Sequence, residues 1–85
     1  MNYAVIFTYS FDGETAVYLF ATEDEAKRFL LESYLEELRI DTEENEWNSV
    51  GEISEDGWYA KIQVQFDDGD HPLDITEFRI GTIYQ

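Results

Sequence analysis

The segment Thr22–Ile40 constrains the fold more than any other part of the chain. Thr22 stands three residues before Glu25, the spacing of a capping box, in which the hydroxyl and carboxylate satisfy backbone N–H groups that a helix start leaves open. Glu23, Asp24 and Glu25 then fill the first turn, where the positive end of the helix dipole favours acids. Ala26, Phe29, Leu30, Tyr34 and Leu38 recur at three- and four-residue spacing and form an apolar stripe, widened by Leu31 and Leu35. Arg28, Glu32, Glu36 and Arg39 take the other side. A helix of this kind needs an apolar surface to cover, and the rest of the chain supplies strands.

Residues 3–11 alternate with period two: Tyr3, Val5, Phe7, Tyr9 and Phe11 against Ala4, Ile6, Thr8 and Ser10. Both sets begin apolar, which predicts an interior strand. Asp12-Gly13 predicts a two-residue hairpin turn, since glycine accepts the positive φ such a turn requires. Residues 14–20 return as a second strand. Beyond the helix, Val50-Gly51-Glu52-Ile53 predicts a short strand and Ser54–Gly57 a turn. Residues 58–66 alternate cleanly, with Trp58, Ala60, Ile62, Val64 and Phe66 on the core side. The last strand spans roughly 73–84. Leu73 and Ile75 share one phase, Phe78, Ile80 and Tyr84 the other, which predicts a bulge between them.

The order is ββα(β)ββ. It predicts a single α+β domain over residues 1–85: one mostly antiparallel sheet of four to five strands with one helix packed on one face. The long path through the helix leaves room for one parallel pairing. In layout alone, this order is similar to that of ubiquitin-like (β-grasp) domains.

Composition narrows the functional classes. Of 85 residues, 44% are apolar and 14 are aromatic (6 Phe, 6 Tyr, 2 Trp), which is too apolar for a disordered acidic chain. There is no cysteine, so disulfides, thiolate metal sites and thiol nucleophiles are excluded. The first residues carry no basic, cleavable leader pattern. The longest early apolar stretch, Ala4–Phe7, falls far short of the ~20 residues of a membrane span. A cytoplasmic location is the expectation.

Twenty acids against five bases give a net charge of −15. Free nucleic acid and anionic membranes are repelled by such a field, and the expected partner is another protein with a basic surface. A sheet edge offers a route to homo-oligomers.

Catalytic and metal constellations lack parts. Asp67, Asp68, Asp70 and Asp74 gather around Gly69 and His71, but the calcium-loop pattern is absent and Asp and Gly also serve as turn formers. One histidine and no cysteine do not make a zinc site. No G-x-S-x-G elbow, phosphate loop or carboxylate pair in an apolar setting is present. The chain reads as a non-enzyme with no cofactor and no metal.

Seven acids and no base lie between Asp41 and Asp56. Glu32, Glu36, Asp41, Glu43, Glu44, Glu46 and Trp47 are the candidate partner-binding residues. Carboxylates one helical turn apart, or on alternate loop residues, lie roughly 5–7 Å apart, a pattern that can stand in for phosphates. Trp47 either pins its loop to the core or anchors a partner. In bulk properties the chain resembles the anti-restriction and anti-CRISPR proteins of mobile elements and the immunity proteins of nuclease toxins. That resemblance implies an inhibitor that masks a nucleic-acid-processing protein. The first expectation is nonetheless a protein-interaction domain of unassigned role whose acidity only keeps it in solution, with the masking inhibitor as the alternative.

Overall fold

The computed structural model describes residues 2–10, 13–44, 48–65 and 74–83. Its elements are β1 (Tyr3–Tyr9), β2 (Thr15–Phe20), α1 (Glu23–Arg39), β3 (Asn48–Ile53), β4 (Tyr59–Gln65) and β5 (Asp74–Thr82). The strands form one sheet in the order β2-β1-β5-β4-β3, and all four pairings are antiparallel. No parallel pair forms among them because α1 joins β2 and β3, which lie at opposite edges and never meet. The helix therefore crosses the whole sheet and touches all five strands.

Registers assign the faces, since residues directly opposite each other point the same way. Val5 opposes Tyr18 and Ile80, and Phe7 opposes Ala16 and Phe78. Ala60 opposes Phe78 and Ile53. These residues lie under α1. Val5, Phe7, Ala60, Ile62, Phe78 and Ile80 meet Ala26, Leu30 and Tyr34 of the helix in a buried core. The interior position expected for β1 is borne out.

Aromatic rings knit the layers. Phe7 stacks on Phe29 at 5.6 Å and stands edge-on to Phe78 at 4.7 Å. Phe29 also meets Tyr18 at 4.9 Å and Phe20 at 5.0 Å. Such pairs add about 0.5–1.5 kcal/mol each beyond area burial. Trp58 is half-buried just before β4. Its indole meets Tyr3 edge-on and donates to Glu23 Oε1 at 2.9 Å, tying the helix start to the sheet.

Half of the expected capping box forms, because the Glu25 carboxylate takes its bond from the Thr22 hydroxyl and not from a backbone N–H. The Glu25 N–H donates to the Thr22 hydroxyl at 3.2 Å, and that hydroxyl donates to the Glu25 carboxylate at 3.1 Å. Thr22→Ala should destabilise the protein by about 1 kcal/mol, read as a lower urea midpoint with unchanged slope; no measurable shift would show that the cap is dispensable.

Three local expectations need correction. The pair closing the first hairpin is Tyr9 and Glu14, so four residues connect the strands, not two; Gly13 still takes the positive φ, 72°. The bulge in the last strand is absent. β5 keeps one unbroken register with β1 from Thr76 to Thr82 and with β4 from Asp74 to Arg79. Ile75 shares a phase with Glu77 and Arg79, faces away from the helix and is only half-buried there. Leu31 and Leu35 are exposed: the apolar stripe is wider than the strip of helix the sheet can cover. Phe11, Phe66, Leu73 and Tyr84 lie outside the described residues.

Candidate functional site

The helix side and the open side of the sheet differ in charge. The segment from Glu23 to Glu44 holds nine acids and three bases. On the open face, Glu52 and Glu77 stand against Lys61 and Arg79. There the charges pair off: Tyr59 Oη donates to Glu77 Oε2 at 2.7 Å, Arg79 donates to the same oxygen at 2.8 Å, and Lys61 lies 3.9 Å from Glu52. The Arg79 guanidinium also sits over the Tyr59 ring. An acidic helix side thus backs onto a face whose strand charges cancel.

The structure divides the candidate binding residues. Glu32, Glu36, Glu43 and Glu44 are exposed on α1 and the turn that follows it. That turn, Ile40–Glu44, widens into a π-type helical turn. It is supported by the Thr42 hydroxyl, which donates to the Leu38 carbonyl at 2.8 Å. Asp41 differs from the exposed acids: it is only 4% exposed, because the continuing helix turns it inward. Glu46 and Trp47 lie outside the described residues, as does most of the acidic loop around His71; Asp74 begins β5.

Arg39 organises the exposed set, which the sequence reading passed over. Its guanidinium donates to Glu36 at 2.6 and 3.3 Å and lies 3.6 Å from Glu43 and 3.7 Å from Glu44. The i+3, i+4 and i+5 spacings from and to Arg39 were the available signal. Hydrogen bonding to Arg39 holds the Glu36 carboxyl below its usual range, and the same contact pushes the Arg39 pKa up. Hydrogen bonds from Ser54 and from the Trp58 backbone lower Asp56, and the Tyr59 hydroxyl, followed by the Arg79 charge, lowers Glu77. Tyr59 is correspondingly raised. Burial, with the Glu52 charge behind it, raises Tyr34.

A carboxylate lowered in the folded state contributes stability that is complete above its unfolded pKa and lost as pH falls through its folded pKa. For Glu36, Asp56 and Glu77 that loss falls below about pH 4. Relief of self-repulsion acts in milder acid. The melting temperature should therefore hold or rise from neutral to about pH 5 and fall below about pH 4. Melts across that range check this, and Glu77→Gln should make the acid-side fall shallower. A steady decline from neutral pH to about pH 5 would contradict it.

No family model matches the chain, and no curated protein or solved structure matches it. Among the described residues no group of three metal-ligating side chains is placed to hold a metal ion, and no helix is long and apolar enough to cross a membrane.

Proposed function

We propose that this chain is a non-enzymatic interaction domain that binds a basic protein surface with its helix side, in the manner of a nucleic-acid mimic that masks its partner. The supporting observation is the separation of charge: nine acids against three bases from Glu23 to Glu44, opposite a sheet face where Glu52 and Glu77 pair with Lys61 and Arg79. Acidity needed only for solubility has no reason to leave one face balanced. A shifted carboxylate adds a second support. Of the lowered carboxylates only Glu36 lies on the helix side, where hydrogen bonding to Arg39 keeps it charged. Exposed Leu31 and Leu35 lie on the same helix and give the partner an apolar contact within the charged surround.

The test immobilises the full chain, captures binding protein from the host at low salt, and elutes it with a salt gradient. The expected captive binds nucleic acid, leaves at moderate salt, and is displaced by duplex DNA. Combined Glu32→Lys, Glu43→Lys and Glu44→Lys should weaken capture at least about tenfold, whereas Glu52→Lys on the open face should not. Capture that ignores both DNA and the triple reversal would overturn the proposal.

A further inference from the structure

Among the described residues β2 is an edge strand with no device against pairing. Its sequence, Thr15-Ala16-Val17-Tyr18-Leu19-Phe20, has no charge, glycine or proline in a chain of net charge −15. Proteins commonly blunt sheet edges with charges, proline, bulges or a covering segment. The opposite edge, β3, carries Glu52 and Gly51. β2 runs in unbroken register with β1, and among the described residues nothing pairs with its outer side.

The backbone groups at that edge can be assigned. The Tyr9 N–H donates to the Glu14 carbonyl, and the register continues with Phe7 opposite Ala16 and Val5 opposite Tyr18. Bonded and non-bonded pairs alternate along an antiparallel ladder. Glu14, Ala16 and Tyr18 therefore bond to β1, while Thr15, Val17 and Leu19 turn their N–H and C=O groups outward. Val17 is 55% exposed, Leu19 50% and Tyr18 43%.

We propose that β2 pairs antiparallel with β2 of a second copy of this chain, about a two-fold axis normal to the sheet that passes midway between Val17 and its image, joining two five-stranded sheets into one. The strand is complementary to itself in that register. Val17 opposes its own image, and Thr15 opposes the partner's Leu19, so the outward backbone groups exchange bonds pair by pair. Beneath the helices, Tyr18 opposes the partner's Ala16, a large side chain against a small one. Glu14 opposes the partner's Phe20, and no acid meets an acid along the seam. β2 thus combines an open backbone edge with an uncharged, exposed, self-matching set of side chains. The remaining negative charge opposes association at long range, and salt screens it over about 8–10 Å. Dimerisation strengthens with salt, the reverse of the salt response expected for a basic partner, so the two proposals fail separately.

Sedimentation equilibrium on the full chain tests this at low and high salt, from micromolar to submillimolar concentration. The expected result is a monomer–dimer equilibrium shifted to dimer by salt. Val17→Pro removes an outward N–H without taking a bond from β1, and Val17→Lys sets two cations face to face across the axis. Each should weaken dimerisation at least about tenfold while far-ultraviolet circular dichroism shows the fold retained. Val17→Lys at an exposed side chain keeps the test informative should the proline variant unfold. Val50→Lys, on β3, should leave the dimer intact. A wild-type chain that stays monomeric under every condition overturns the proposal, as does a dimer unchanged by Val17→Lys or one abolished by Val50→Lys.

Discussion

Phe78→Ala should bring the domain close to unfolding, with a loss of about 3–5 kcal/mol. Phe78 is 1% exposed, lies on the central strand β5, and stands edge-on to Phe7 at 4.7 Å and to Tyr34 at 6.3 Å. Removing the ring empties a space bounded by β1 and α1, neither of which can collapse into it without breaking other contacts. A chain of 85 residues has a total stability of about 4–13 kcal/mol on the usual per-residue scale, so the substitution consumes a large part of it. Urea unfolding should show a strongly lowered midpoint with little change in slope. Phe78→Leu, which fills part of the space, should cost less. A loss under about 1 kcal/mol for the alanine variant would mean that the core is not centred on this ring.

The second large effect is an addition rather than a deletion. Gly51 lies on β3 beneath the helix, where a Cβ would collide with the Tyr34 hydroxyl and come within 3.1 Å of Leu38 Cδ2. Gly51→Val should destabilise the protein by about 1–3 kcal/mol through overpacking, with Gly51→Ala smaller and of the same sign. Because the obstruction is mainly one hydroxyl, Tyr34→Phe in the Gly51→Val background should recover part of the loss. A double-mutant cycle measures this as a favourable coupling. Additive losses would place the crowding elsewhere, on Leu38 or the backbone. The sequence places Gly51 in a short strand without saying why glycine stands there, and the approach of Tyr34 explains it.

The helix was legible because its evidence is local. The Thr22–Glu25 cap and the spacing from Ala26 through Leu30 to Tyr34 lie within a few residues of one another, and the structure repeats them. The alternation around Ile62 and Val64 was legible for the same reason. The candidate site was legible only as a set of acids. Exposure of Glu32, Glu36, Glu43 and Glu44 follows from polarity, but burial of Asp41 depends on the helix winding onward into a wide turn. Helical spacing brings Glu36 and Glu43 to Arg39, whereas the approach of Glu44, five residues on, came only with the wide turn.

The chain's local pattern determined the helix boundaries to within a residue or two, the phase of β1, β2 and β4, and the one-sided need of α1 for an apolar layer, because side-chain periodicity and capping act between near neighbours. Strand order was decided elsewhere. The sequence pattern does not require β5 to lie between β1 and β4, or α1 to span from edge to edge, because those choices depend on pairings between residues far apart in the chain. The tertiary structure made them, and with them it placed the acids on the helix side, balanced the strand charges on the open face, and left uncharged β2 at the margin of the sheet.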